Sequence, residues 1–123
     1  MAHLGLPHSH GQNTEHVLEK MPSQGIFEDV ATAFGQLGDA SRLKILWFLC
    51  HCEECVTDIS VAMGMSAPAV SHHLKLLKTS GLITSRREGK EVYYTLAQNG
   101  RTQILHHALD ALFDMKCPDE DQE

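Results

Sequence analysis

Three thiols and an imidazole lie within residues 50–55, which read CHCEEC. Thiolates are soft donors that suit zinc, cadmium, lead or trivalent arsenic. Residues two apart point to different sides of a continuous helix, so the sulfurs of Cys50 and Cys52 can converge only if a helix ends near Cys50. A single cysteine would more readily be a small buried hydrophobe. Three so closely spaced instead predict a metal site formed by Cys50, Cys52 and Cys55.

Further groups could complete such a site. Cys117 is a possible fourth thiol, and the alternative is a cysteine without a ligand role at the end of a helix. Residues 1–22 carry four histidines, of which His8 and His10 are the possible additional ligands. This histidine-bearing arm could reach a site in its own subunit or in a partner, or it could be a solvated tail that scavenges metal weakly.

The thiol run follows a helix that the sequence places at the centre of the core. Asp39 is a favourable N-cap, and the helix is predicted from residue 40 to residue 49 or 50. It is apolar nearly all round, which is typical of a buried helix, and Trp47 is predicted to be a core anchor. An amphipathic helix precedes it from Ile26 to Gly38, and a helical turn is expected near residues 15–20.

Residues 56–80 predict two helices joined by a tight turn. The first covers residues 58–63, and Gly64 can adopt the positive φ that a sharp turn requires. Ser66 can cap the second helix, whose apolar stripe recurs at helical spacing. A polar, partly basic face opposite such a stripe is the pattern of a helix-turn-helix DNA reader, although many helical proteins that never bind DNA share it. The stripe consists of Val70, Leu74 and Leu77.

A β-hairpin and a last helix are predicted next. Residues 82–86 and 92–96 read as strands around a basic tip, 87–90, and a hairpin directly after a helix-turn-helix is a winged helix. Asn99 can cap a helix over residues 100–115. A small winged domain does not need its first and last helices for its own core, so their spare apolar faces predict a homodimer. The predicted fold class is mainly α with a small β-hairpin wing.

The charge distribution favours contact with nucleic acid in this part of the chain. The net charge is −6, yet residues 66–96 hold five basic and two acidic residues. A basic island on an acidic protein is a local phosphate-binding footprint, so double-stranded DNA is the predicted partner. The predicted contacts are Ser66, Ala67, Ser71, His72 and Lys75 at the groove, with Arg87 and Lys90 on the wing.

Length and composition bound the other function classes. The 123 residues suffice for one domain with a core. No apolar run approaches the ~20 residues of a membrane span, and no signal-peptide pattern is present, so a cytoplasmic protein with reduced thiols and no membrane partner is expected. No catalytic constellation with an orienting third group is evident, so an enzyme is not expected. The expected division is a flexible histidine-bearing arm (1–22), a winged helix-turn-helix domain (23–116) and an acidic tail (117–123).

The chain resembles the ArsR/SmtB family of bacterial metal- and metalloid-responsive repressors. The resemblance rests on LGDASRLKILWFL (37–49), CVTDISVAMGMSAPAVSHHLKLLKTSGLI (55–83) and SRREGKEVYYTL (85–96). It implies a dimeric winged-helix repressor that binds operator DNA when free and releases it on inducer binding. The predicted function is release of operator DNA when Zn, Cd, Pb or As(III) binds the cysteine cluster.

The metal sites of that family match this sequence only in part. Members with a thiol site at the start of the first reader helix typically read ELCVCDL; here Cys55 matches the first thiol and Thr57 replaces the second. Cys50 and Cys52 could compensate from the other side.

A second family site, which binds zinc on the last helix, is not expected in this chain. Only Asp114 among the corresponding positions could ligate, and His106 and His107 lie off the pattern and are interpreted as surface or interface residues. The corresponding positions are Gln98, Gly100, Ala111 and Asp114.

Two alternative functions stay open at this point. Some relatives sense oxidants or reactive sulfur through one cysteine in the second helix and one in the last, and Cys50 with Cys117 could form such a pair. A metal buffer without DNA function would suit the histidine-bearing arm and the thiols, but not the reader helix and basic wing.

Overall fold

The computed structural model describes residues 7–8 and 13–113, in a chain that divides into two separately compact units, residues 1–31 and 32–123. In the first unit, helix α1 spans Thr14–Lys20, where a helical turn was expected. Helix α2, Gln24–Gln36, begins in the first unit and ends in the second. The division into arm, domain and acidic tail stays a prediction.

Helix α3, Ala40–Leu49, is capped as the sequence predicts. The Asp39 carboxylate accepts a hydrogen bond from the Arg42 N–H at 2.9 Å, and this bond is the main cause that lowers the pKa of Asp39. The cap satisfies one of the N–H groups that a helix start leaves without an intrahelical partner. It therefore fixes where α3 begins.

The core side of α3 is filled by aliphatic residues. Ile45, Leu46 and Leu49 are fully buried. Trp47 is only half-buried and lines a shallow groove with Phe113, so the prediction that it anchors the core is wrong. A helix that is apolar all round still has only one side against its neighbours, and Trp47 lies at the margin of that side.

Helices α4 and α5 form the helix-turn-helix. Helix α4 spans Val56–Met63 and so begins earlier than residue 58, and α5 spans Ala67–Thr79. Gly64 between them has φ 67°, a left-handed conformation that a side chain would strain. Ser66 caps α5 by accepting a hydrogen bond from the Ala69 N–H at 3.3 Å.

The wing is a three-stranded antiparallel sheet in the order β1-β3-β2. Strands β2, Ile83–Glu88, and β3, Glu91–Leu96, form the expected hairpin, with Gly89 at φ 64° in the turn. Strand β1, Glu54–Cys55, pairs with β3 and was not predicted, because two residues cannot show an alternating pattern. The last two residues of the thiol run are thus part of the sheet.

Helix α6, Gly100–Leu112, starts with a reciprocal cap. Asn99 Oδ1 accepts from the Thr102 N–H at 2.9 Å, and Thr102 Oγ1 accepts from the Asn99 N–H at 3.2 Å. Leu109 is buried, whereas Ile104 is 72% and Leu112 79% exposed. One side of α6 therefore packs on the core and another presents apolar side chains to solvent. The predicted end at residue 115 lies outside the described residues.

One hydrophobic core supports the helix-turn-helix and the wing. It confirms the predicted stripe on α5 and the predicted fold class, a mainly helical winged helix-turn-helix. No helix in the described part of the chain is both long and apolar enough for a membrane span. The core residues are Ile45, Leu46, Leu49, Ile59, Val70, Leu74, Leu77, Leu82, Ile83, Leu96 and Leu109.

Candidate nucleic-acid interface and sensing segment

The first half of α5 presents a polar face to solvent, opposite the buried stripe. Hydroxyl, imidazole and ammonium groups on one exposed helix face are the donors and acceptors that base edges and phosphates take. The helix is held by its cap at one end and by core packing behind. Contact of these residues with DNA stays a prediction. The exposed residues of this face include all five predicted groove contacts, Ser66, Ala67, Ser71, His72 and Lys75.

His73 differs from its neighbour His72, because it is half-buried and joins α5 to α3. Its Nδ1 accepts a hydrogen bond from Arg42 Nε at 3.2 Å, and Arg42 also donates to Gln36 Oε1 at 2.8 Å. Burial lowers the pKa of His73, and the charges of Arg42 and His72 lower it further, while Asp39 opposes them. His73 is therefore a hydrogen-bond acceptor that connects α5 to α3.

The wing carries two exposed cations at its far end. Lys90 lies in the turn, and Arg87 lies in β2 and not in the loop where the sequence placed it. Arg87 Nε donates to the Gly89 carbonyl at 3.4 Å, so the guanidinium stays close to the turn. Both positions suit phosphate contact, which stays a prediction.

Arg86 is also exposed, but its guanidinium is paired with other side chains of the protein. Its guanidinium forms ion pairs of 2.7 Å with Glu53 and 2.7 Å with Glu88, and lies 4.9 Å from the centre of the Tyr93 ring. The hydrogen bonds that Arg86 donates to Glu53 and then to Glu88 raise the pKa of Arg86. Arg86 therefore connects the wing to the thiol run and is a poorer candidate for DNA than Arg87.

The three cysteines of residues 50–55 lie between α3 and α4. Cys50 is the C-cap of α3, so the helix ends where convergence of the sulfurs requires it to end. Cys52 Sγ donates to the Phe48 carbonyl at 3.2 Å, and Cys55 is 6% exposed in β1. The three sulfurs do not form a set within 4.8 Å of one another. Their donor chemistry fits a thiophilic ion, but the segment must move to gather them, and the site stays a prediction.

Hydrogen bonds attach this segment to the wing. Thr95 Oγ1 on β3 donates to the Cys52 carbonyl at 2.9 Å and lies 3.3 Å from the Leu49 carbonyl. Strand β1 adds the pairing of Cys55 with Tyr93. A change in the conformation of residues 50–55 therefore acts directly on β3.

Two of the three possible additional ligands lie outside the described residues. They are His10 and Cys117. His8 is described and exposed. The fourth position of the family's last-helix zinc pattern, Asp114, also lies outside the described residues.

A further group of potential ligands was not found from the sequence. Ligand atoms of His51, His106 and Asp110 all lie within 4.8 Å of one another, and this is the one such group of three or more His, Cys, Asp or Glu residues within 7–8 and 13–113. The sequence alone indicates a surface or interface residue at His106. The one-turn spacing of His106 and Asp110 was an available signal, but their meeting with His51 is a tertiary contact.

Known proteins similar to this chain are transcriptional regulators. Residues 39–85 match the family described as "Bacterial regulatory protein, arsR family". The chain is 35% identical over 106 residues to the transcriptional repressor SmtB homolog of Synechocystis sp., covering 86% of this chain and 80% of that protein. It is 41% identical over 81 residues to the cadmium resistance transcriptional regulatory protein CadC homolog of Staphylococcus aureus, covering 65% of this chain and 67% of that protein.

A solved structure from Mycobacterium bovis has the same fold. It is the solution NMR structure of a homodimeric winged helix-turn-helix DNA-binding domain, described as a possible ArsR-family transcriptional regulator. The TM-score is 0.67 at 31% sequence identity, and the match covers 76% of this chain and 91% of that chain.

Proposed function

Because this chain belongs to the ArsR family of bacterial regulatory proteins, we propose that it represses transcription by binding operator DNA. Members of this family bind DNA and are not enzymes. In the proposed mechanism the protein releases the operator DNA when a thiophilic ion binds Cys50, Cys52 and Cys55. The family and the fold class predicted from the sequence are confirmed. Two relatives are named a repressor and a cadmium resistance regulator, which favours a metal ion as the inducer. Zinc, cadmium, lead and arsenite are the candidate inducers.

A homodimer would present two copies of α5 to the operator. The neighbour from M. bovis is homodimeric, and a two-fold dimer places its reader helices on half-sites about one helical turn of DNA apart. In this chain Phe34, Ile104 and Leu112 are 64%, 72% and 79% exposed. A partner's copy of α2 and α6 would remove these apolar side chains from water. Burial of apolar surface stabilises a complex by about 25 cal/mol per Å². We therefore place the interface on α2 and α6.

The single observation that carries the proposed control is the position of residues 50–55. This segment ends α3, starts α4 and pairs with β3 of the wing. It thus contacts both parts of the proposed DNA surface: α5 through α4, and the wing through Thr95 and Arg86. A local rearrangement here would alter the placement of the reader helix relative to the wing.

The chemistry of release follows from the present positions of the sulfurs. A bound thiophilic ion supplies one common bonding partner for the three thiolates. To reach it, Cys52 would leave the Phe48 carbonyl and Cys55 would leave its buried position in β1. The first movement would break a contact with α3, and the second would disturb the pairing of β1 with β3. A coupling free energy of about 1–3 kcal/mol between the two sites would suffice for regulated release.

The experiment is a DNA-release titration on the reduced dimer with Zn, Cd, Pb, Ni and arsenite in parallel. Labelled DNA from upstream of the protein's own gene reports release by fluorescence anisotropy. We expect release by at least one thiophilic ion, and no release by that ion from the Cys50→Ser and Cys55→Ser variants. Thr57→Ser is the matched control, because Thr57 is exposed on α4 beside the thiols, and it should respond as the parent does.

Two results would contradict the proposal. If the cysteine variants release DNA at the same metal concentration as the parent, the thiols are not the sensor. If the parent retards none of the DNA upstream of its gene, the repressor function itself is wrong.

A further inference from the structure

We infer that His51, His106 and Asp110 form a second metal site, free of thiols, that takes a divalent transition ion such as Zn²⁺, Co²⁺ or Ni²⁺. The site joins the segment after α3 to α6 within one subunit. It is distinct from the cysteine cluster and does not depend on the proposed release mechanism.

The geometry of the three side chains supports a shared ligand. His51 and His106 meet edge to face, with ring centres 4.7 Å apart and an interplanar angle of 80°. His106 Nε2 lies 3.4 Å from Asp110 Oδ2. Tetrahedral zinc holds imidazole nitrogen at about 2.0–2.1 Å and carboxylate oxygen at about 2.0–2.2 Å, which separates two of its ligand atoms by about 3.4 Å. The observed spacing is therefore already that of two ligands on one ion.

The protein shields this group from solvent. The side chains of His106 and Asp110 are 14% and 16% exposed. Asp110 Oδ1 is buried and accepts no hydrogen bond from the described residues. An unsatisfied buried carboxylate oxygen is costly, and a bound cation removes that cost. A bound cation would give this second carboxylate oxygen the partner that it lacks among the described residues.

The donor set indicates which ions would bind. Two imidazoles and one carboxylate favour zinc, nickel, cobalt or iron over calcium and magnesium, and lack the thiolates that cadmium, lead and arsenite prefer. Three protein ligands leave a further position on the ion for water. Of the candidate inducers of the cysteine cluster, only zinc would therefore also suit this site.

The position of His51 would link this site to the thiol segment. His51 lies between Cys50 and Cys52, whereas His106 and Asp110 lie on α6, which also carries the exposed Ile104 and Leu112. An ion on the three residues would tie the segment between α3 and α4 to the helix that we place in the dimer interface.

The test uses the full chain with serine at positions 50, 52, 55 and 117, so that no thiol can bind. Trp47 is the one tryptophan of the chain, and its ring centre lies 4.9 Å from that of His51. Titration with Co²⁺ should quench its fluorescence with one tight equivalent per chain. His106→Asn and Asp110→Asn should each lower the affinity for this Co²⁺ ion by more than about tenfold. Loss of a group that only supports a metal ligand already lowers metal affinity by about that factor.

His107→Asn is the matched control, because His107 is the exposed neighbour of His106 on the same helix. This variant should still bind one Co²⁺ ion tightly. Any weak Co²⁺ binding by the histidine-bearing arm is the same in the His106→Asn and His107→Asn variants and does not affect the comparison. Equal affinity in His106→Asn and the thiol-free parent would overturn the inference. An equal loss in His106→Asn and His107→Asn would also overturn it.

A second measurement covers the case in which the thiol-free chain does not fold, since Cys55 is buried. The native chain is first saturated with Cd²⁺ and then titrated with Co²⁺. We expect one additional equivalent that quenches Trp47 and is absent from His106→Asn. If no Co²⁺ equivalent depends on His106, the three residues form only a structural cluster and the inference is wrong.

Discussion

Two regions of the molecule differ in how they are built. One is the proposed reading surface, α5 with the wing, and the other is the proposed sensing region, residues 50–55 with the adjoining part of α6. In the reading surface, α5 follows a turn at the left-handed Gly64, starts at the Ser66 cap and rests on a fully buried stripe. The sensing region has a two-residue strand, half-buried side chains and contacts between residues far apart in the chain. A well-packed helix beside a less regular segment allows a ligand to change the conformation of the segment without unfolding the helix.

The first prediction tests how strongly the reading surface depends on its stripe. Leu74 is 1% exposed beneath α5, so Leu74→Ala should lower the free energy of unfolding by about 2–5 kcal/mol through a cavity. Urea unfolding followed by circular dichroism measures the loss. Lys75→Ala, on the exposed side of the same helix, should stay within about 0.5 kcal/mol of the parent. Equal losses in the two variants would mean that α5 is not packed as described.

The second prediction concerns phosphate contact by the reading surface. Lys75→Ala and Arg87→Ala should each weaken binding to every DNA sequence and reduce the salt slope of log K by about one, since each removes one phosphate contact. Anisotropy titrations at several salt concentrations measure the slope. Arg101→Ala, an exposed cation of α6, is the control and should leave the slope unchanged. An unchanged slope for both Lys75→Ala and Arg87→Ala would place the DNA elsewhere.

Sequence reasoning succeeded where the cause of structure is local. The caps at Asp39, Ser66 and Asn99 and the turn at Gly64 depend on a few neighbouring residues, and each is where it was predicted. The groove residues follow from the helical period of α5 and are exposed as expected. The exposed face of α5 could therefore be predicted from the sequence, while its contact with DNA stays a prediction.

The sensing region could be predicted only in part. The end of α3 at Cys50 was expected, but β1 exists because β3 lies beside it, and no pattern within its two residues indicates a strand. The meeting of His51 with His106 depends on how α6 packs, which spacing along the chain does not reveal. Trp47 was assigned to the core because an all-apolar helix does not indicate which side faces inward.

The third prediction separates the structural and the recognition roles on α5. Ser66→Ala should cost about 1 kcal/mol of stability, because the Ala69 N–H loses its partner at the helix start. Ser71→Ala should leave stability within about 0.5 kcal/mol and affect DNA binding alone. Thermal unfolding with matched anisotropy titrations measures both quantities. A stability loss in Ser71→Ala as large as that in Ser66→Ala would contradict this division.

The fourth and smallest effect is a pH dependence of stability from His73. Its pKa is lowered in the folded state, so the unfolded chain binds a proton more readily and the free energy of unfolding decreases as pH falls through the ordinary histidine value of 6.5. His73→Gln should flatten this part of the pH profile. His72→Gln is the control, because His72 is exposed on the same helix, and it should keep the slope. A profile that His73→Gln leaves unchanged would show that the burial of His73 does not govern it.

The most direct test of control of the reading surface by the sensing region is reciprocity between ion and DNA. The affinity of the releasing ion is measured by calorimetry on the free dimer and on the dimer saturated with operator DNA. We predict that DNA weakens ion binding by roughly 5–150-fold, and by the same factor by which the ion weakens DNA binding. Equal ion affinity with and without DNA would contradict the account, because the thiol segment would then have no energetic connection to the surface that binds DNA.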